Sequence, residues 1–274
     1  MSVPAIVFCD MDGTLLTSDK EVSARSLELL DWLFERRIPF VPCTGRPASA
    51  VPAVVREHPS VTFVVASNGA VVENVRSGER IFCKRIEKDV VLDLYRQVGG
   101  LNVTFDVFCD GSVYSERARY EAMGSYNLAP AMLKMLRQVR QPMDMLVPEL
   151  LATSSAPDKI TCFWKEEADR DALEAIIKSC EGVCYAMGDP KDFEMQASGV
   201  SKGAALRWLC DYLGIDWHES CAFGDQGNDL TLVEAAGDGV AMANATDPVK
   251  AAADHLTLSN DEDGVAVYLM GERA

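Results

Sequence analysis

The 274-residue sequence predicts an α/β fold, a mostly parallel sheet core with an inserted α+β segment. Three observations carry this. Short apolar runs near both ends alternate with stretches of helical periodicity, as in a parallel sheet. Three of those runs, Ile6–Cys9, Phe40–Cys43 and Cys221–Phe223, lead into polar loops bearing Asp or Thr. Between residues 86 and 194 the pattern changes to hairpin signals and separate helices, and the parallel pattern resumes after Gly199. One discontinuous core, residues 1–85 and 195–274, with residues 86–194 inserted, accounts for this order better than two sequential domains.

The elements follow in order. Ala5–Cys9 reads as a buried strand, and Ser23 as the cap of a helix over residues 24–36 with Leu27, Leu30, Leu33 and Phe34 on its apolar face. Ile38–Cys43 is a second strand, and its prolines predict an irregular or partly exposed one. A helix is predicted to start at Pro47. Val61–Ala66 is a third strand, running into Ser67-Asn68-Gly69-Ala70. Short β pieces then flank Ser77-Gly78. In the insert, a helix near residues 89–98 precedes alternating Val103–Phe108, and Asp110-Gly111 is a hairpin turn before Val113-Tyr114-Ser115. A strand at Lys159–Trp164, a helix near 167–180 and strands near 183–187 and 192–195 complete it. Back in the core, a helix runs from Lys202 to Leu213, Cys221–Phe223 is a strand, and Leu230–Ala235 is helical. Short strands at Gly239–Ala243 and Leu256–Leu258 flank a helix near residues 248–253.

Composition narrows the function. Apolar content of 48% supports a sizeable core. A net charge of −16 repels nucleic acid and anionic membrane surfaces. No segment approaches the ~20 apolar residues of a membrane span, and no signal peptide is readable. Nine cysteines, scattered mostly in apolar runs without a C-x-x-C pair, read as reduced thiols of a cytoplasmic protein. Only three histidines occur, none beside a Ser or Cys in a nucleophile setting, so carboxylates are left to carry the chemistry.

Asp10 and Asp12 sit at i and i+2 on a strand end, where they would share a face, and Gly13 lets the chain leave the strand. If the strands are parallel, their loops meet at one sheet edge and gather Asp10, Asp12, Asp225 and Asp229. Such a cluster calls for a hard cation with oxygen ligands, and Mg2+ suits it. Asp225 and Asp229 also read as helix-capping residues. Thr44-Gly45, with its hydroxyl and N–H groups ahead of a helix start, is a seat for phosphate oxygens, and equally an ordinary turn. Lys202 at a helix N-terminus opposes the helix dipole, which points to an anion nearby. Asn68 and Gly69 read most simply as a hairpin turn.

Asp10-x-Asp12-Gly13-Thr14, Thr44-Gly45-Arg46, Ser201-Lys202-Gly203 and Gly224-Asp225-x-x-Asn228-Asp229 resemble, in order, the four motifs of the haloacid dehalogenase-like (HAD) phosphohydrolases. The long gap before the lysine resembles the Cof-type branch, subclass IIB. The likeness covers residues 1–84 and 195–274; the middle matches in size and position only. It implies a Rossmann-like core with a C2B-type cap as the insert, and a phosphatase acting on a small phosphorylated metabolite. It implies Asp10 as nucleophile and Asp12 as acid, then base. Mg2+ would be held by the Asp10 carboxylate, the Asp12 carbonyl and Asp225, with Asn228 or Asp229 in support. Thr44, Gly45, Lys202 and Asn228 would face the phosphoryl oxygens. Asn68 and Gly69 would lie near the substrate mouth, and Arg46, one residue beyond the phosphate seat, would either orient that loop or reach the substrate.

Two other readings use the same residues. A phosphomutase of this fold would pass the phosphoryl group to a second hydroxyl. A signalling receiver would keep it on Asp10, but receivers are short and lack a long insert between their Thr and Lys.

Overall fold

The structure is a computed structural model that describes residues 3–271. The chain divides into two compact units. One comprises the chain up to Phe82 and again from Ser201; the other is Cys83–Val200. Five strands come first: β1 (Ile6–Asp10), β2 (Phe40–Cys43), β3 (Phe63–Ala66), β4 (Val71–Asn74) and β5 (Glu79–Cys83). The second unit supplies β6 (Asp106–Cys109), β7 (Ser112–Glu116), β8 (Arg140–Met143), β9 (Lys159–Phe163), β10 (Val183–Ala186) and β11 (Asp192–Ala197). The chain then returns with β12 (Ser220–Gly224), β13 (Asp238–Ala241) and β14 (His255–Leu256).

The first unit is built on an eight-stranded sheet in the order β14-β13-β12-β1-β2-β3-β4-β5. Pairing is parallel from β14 through to β3, and β4 is antiparallel to β3. This is the mixed, parallel-rich α/β sheet that the alternating pattern predicts. β1 is wholly buried, with Phe8 in register with Val41 of β2 and Ala222 of β12. Its side chains feed cores on both sheet faces: Val7 and Cys9 on one, Ile6 and Phe8 on the other. A strand buried on both faces reads as a continuous apolar run, and Ile-Val-Phe-Cys is one.

The first helix spans Ala24–Glu35, and the Ser23 hydroxyl accepts the Ser26 N–H, as a capping serine does. It buries Ser26, Leu29, Leu30 and Leu33. Phe34 is half exposed instead of lying on the buried face, with its ring edge-on to His58. β2 is also unlike the expectation. It is central and buried despite Pro42. Phe40 and Thr44 donate their N–H groups to Ser60 and Val65 on the β3 side. Alternation aims the position of Pro42 the same way, where β2 and β3 share a single register pair, so the missing donor costs the sheet little. Past Pro47 there is a short 3-10 turn, Ala48–Ala50, and then one helical turn, Ala53–Arg56, instead of a helix from the proline.

The second unit is a six-stranded sheet ordered β10-β11-β9-β6-β7-β8, antiparallel except for β7 with β8. Helices at Lys88–Gln97 and Glu167–Ser179 match the predicted ones. Helices at Arg117–Ala122, Pro130–Val139 and Val147–Thr153, with β8 between the last two, were not anticipated. Arg140 on β8 donates to buried Asp106 of β6 at 2.8 Å, and buried Lys159 pairs with Glu194.

In the core, the helix Lys202–Leu213 lies against the helix Leu230–Ala235 at a distance that only glycine permits. A Cβ on Gly203 would sit 2.0 Å from the Thr231 carbonyl oxygen. Gly203→Ala must push the two helices apart, so we expect a loss of stability of about 1–3 kcal/mol, checked by urea denaturation. An unchanged midpoint would refute the close contact.

Candidate active site

Three parallel strands deliver the site. β1 ends at Asp10, β2 leads to Thr44 and β12 leads to Asp225, all at the same sheet edge, as the strand-end argument requires. Asp10, Asp225 and Asp229 are buried, and one carboxylate oxygen from each lies within 4.8 Å of the others. The Asp12 carboxylate is not in this group.

Lys202 enters the cluster from the first turn of its helix, behind the Ser201 cap. It has no solvent exposure. Its Nζ donates to Asp10 Oδ1 at 2.5 Å and to Asp229 Oδ1 at 2.6 Å. A solvated surface lysine is thereby excluded. Burial alone would lower the lysine's pKa, but Asp10 and Asp229 outweigh it and raise it, so Lys202 stays an ammonium. Burial, then Asp229, push the Asp10 carboxyl upward against the pull of Lys202. Asp229 also caps: its Oδ2 accepts the N–H groups of Asp225 and Gln226, both at 3.0 Å. Asp229 thus caps through one oxygen and meets Lys202 through the other.

Asp225 accepts the Thr14 hydroxyl at 2.8 Å. Burial, then Asp229, push its pKa up to about 7. Gly13 makes the approach feasible. Its φ is +88°, and a Cβ there would lie 2.4 Å from Asp225 Oδ2. Fully ionised, three carboxylates beside one ammonium would carry two negative charges in excess, to be met by protons or by a cation. The donors are all hard oxygens, so residues and charge alike fit a divalent cation such as Mg2+.

The Asp12 carboxylate is held by other partners. Arg46 grips it with two bonds, Nε to Oδ2 at 2.7 Å and Nη2 to Oδ1 at 2.5 Å. Lys20 adds a contact at 3.0 Å. Burial would raise the Asp12 pKa, but Arg46 and Lys20 overcome it and hold the carboxyl below its ordinary value. The Thr44 hydroxyl accepts the Arg46 N–H at 3.1 Å. Gly45 follows Thr44 in that loop.

Asn68 and Gly69 do lie in a hairpin connection, between the antiparallel strands β3 and β4, and it is buried. Ser67–Gly69 is a buried 3-10 turn between β3 and β4, with Ser67 and Asn68 at positive φ. The Asn68 N–H reaches the Thr44 carbonyl at 3.1 Å, and its side chain accepts the Asn228 amide at 3.3 Å. Asn68 therefore lies against both the Thr44 loop and Asn228. Sequence reasoning missed Lys20 and Asn244, and quoted Thr14 without a role. Asn244 donates to the Gly13 carbonyl at 2.8 Å and accepts the Asn260 N–H at 3.1 Å. It follows the end of β13, so the strand-end rule could have found it. Lys20 lies in a loop and gave no signal.

A family model described as haloacid dehalogenase-like hydrolase matches residues 7–269. The chain is 31% identical over 268 residues to the putative phosphatase YxeH of Bacillus subtilis, covering 95% of each. It is 26% identical to the 5-amino-6-(5-phospho-D-ribitylamino)uracil phosphatase YitU of the same organism, covering 97% of this chain and 96% of that one. A solved haloacid dehalogenase-like hydrolase from B. subtilis superposes with a TM-score of 0.85 at 28% identity, covering 97% and 99%.

Lys202→Met strands two buried carboxylates without their cation. The expected loss in metal-free buffer is about 3–5 kcal/mol by urea denaturation. A change under about 1 kcal/mol would show that the pair is not structurally coupled.

Proposed function

This chain belongs to the haloacid dehalogenase-like hydrolase family, and on that premise we propose that it is a Mg2+-dependent phosphatase of small phosphomonoesters that works through an aspartyl-phosphate. The observation that carries the proposal is the Asp10–Lys202–Asp229–Asp225 cluster, a buried strand-end carboxylate beside a fixed ammonium, with further carboxylate oxygens that could take a cation.

Asp10 attacks phosphorus, and the bond to the leaving oxygen breaks as Asp12 supplies the proton. Asp12 then takes a proton from water. The water oxygen bonds to phosphorus and Asp10 is released. Lys202, Thr44 and Gly45 hold the phosphoryl oxygens, with Asn228 beside them. Mg2+ would be held by Asp10, the Asp12 carbonyl and Asp225, with Asp229 in support through Lys202 and the Asp225 N–H. When bound, it supplies charge neutralisation to the phosphoryl group, the main demand of phosphoryl transfer. The ion pair of Asp12 with Arg46 suits the second half of the reaction, where an ionised carboxylate is needed.

The substrate class is a small sugar phosphate or cofactor-like phosphate; the name of the YitU relative, a 5-amino-6-(5-phospho-D-ribitylamino)uracil phosphatase, supports that range. We assign the choice among esters to residues 86–194, the cap that the motif order predicts. Action in the cytoplasm accords with the free thiols of all nine cysteines. No described helix is long and apolar enough to cross a membrane.

The first test is phosphate release from a panel of esters. Turnover should require Mg2+, stop with EDTA, and vanish in folded Asp10→Asn. Persistent turnover in that variant would sink the nucleophile assignment. A second test needs no activity: Mg2+ alone should raise the melting temperature of the wild type, and Asp225→Asn should abolish the rise. An equal rise in both would place the ion elsewhere.

A further inference from the structure

Arg46 follows the phosphate seat directly, yet its guanidinium is committed elsewhere. Its Nε and Nη2 take both oxygens of Asp12, and its Nη1 reaches the Ala50 carbonyl at 3.4 Å. Its main chain is fixed as well, with the N–H on the Thr44 hydroxyl and the carbonyl accepting the Ser67 N–H at 3.0 Å. The side chain is only 13% exposed. A planar fork on a carboxylate sets both the position and the plane of that carboxylate, which a point charge cannot do. Lys20 shows the contrast. It touches one oxygen from a more exposed loop position and leaves the plane of the carboxylate free to turn.

We propose that Arg46 is a positioning residue that fixes the Asp12 carboxyl for proton transfer and does not bind the phosphoryl group. The inference rests on the phosphatase reading above. Asp12 serves twice from one place. In the first half it gives its proton to the departing oxygen as the Asp10–phosphorus bond forms and the ester bond breaks. In the second it takes a proton from water as the water oxygen bonds to phosphorus and the Asp10–phosphorus bond breaks. Tying Asp12 to the Thr44 loop keeps it in register with the phosphate seat through both halves. A residue that acts this way should matter only where a proton moves.

Arg46→Lys tests this, because it keeps the charge and loses the fork. With 4-nitrophenyl phosphate the leaving group departs as a stable anion, so kcat/KM, which reports the first half, should hold. The kcat on that ester, limited by the water step, should fall on the order of 10²-fold, as for a misplaced acid–base group. On an alkyl phosphate, kcat/KM itself should fall by a similar factor. In an Asp12→Asn background, Arg46→Lys should add almost nothing, since there is no proton carrier left to position. An equal fall in kcat/KM on both esters, or losses that add across the double mutant, would overturn the proposal and make Arg46 a phosphate ligand or a purely structural residue. Arg46→Gln, checked by its melting temperature, repeats the comparison should the lysine variant fail to fold. A wild type that releases no phosphate from any ester would overturn the phosphatase reading itself, and shows before any variant is made.

Discussion

One buried ammonium governs the arrangement of the core. Lys202 sits at the start of its helix, the end that repels cations, and gains its place from the two carboxylates it meets. Those carboxylates come from distant parts of the chain, 192 residues before it and 27 after. The contact therefore fixes a helix, the end of β1 and the turn after β12 together. It offsets only part of the formal negative charge there, and the remainder is what the proposed cation would meet.

The loop after β1 is tied down by a second set of contacts. Asn244 holds the Gly13 carbonyl, and Asn260 donates to the Leu16 carbonyl at 2.9 Å. Asp261 accepts from the Ser18 N–H and hydroxyl, and Asp263 from the Ser23 hydroxyl. The acidic run at Asn260–Asp263 is thus a clasp on the loop that carries Asp12 and Lys20. Asp12 is held from two directions, by its main chain through this loop and by its side chain through Arg46.

Much of the site was legible because strand alternation and strand direction are simple rules. Asp10, Thr44 and Asp225 each stand at the end of an apolar run, and parallel pairing of the runs brings them to one edge. Lys202 was legible because its placement opposes the dipole. The orientation of Asp12 was not, since it depends on where a loop returns Lys20 and on a side-chain pairing across 34 residues. Pro42 misled because its missing donor falls on the sparsely paired side of β2, a matter of register that local sequence does not encode. Arg117–Ala122 and Val147–Thr153 went unread because they are too brief for a 3.6-residue period to declare itself; Pro130–Val139 is as long as Lys88–Gln97, and its length does not explain the miss.

The order of strands carries a kinetic consequence. β1 is made first, yet one of its neighbours, β12, begins more than 200 residues later. Synthesis at ~5–20 residues per second leaves that edge of β1 bare for roughly ten seconds or more. The intervening unit, Cys83–Val200, is contiguous and closes its own sheet without waiting. The nascent chain therefore carries a finished middle and an open apolar edge at once, and an unpaired buried-type strand is a template for wrong partners. Asp10 stands at the end of that strand, so completion of the sheet and assembly of the Asp10–Lys202–Asp225–Asp229 cluster are the same late event.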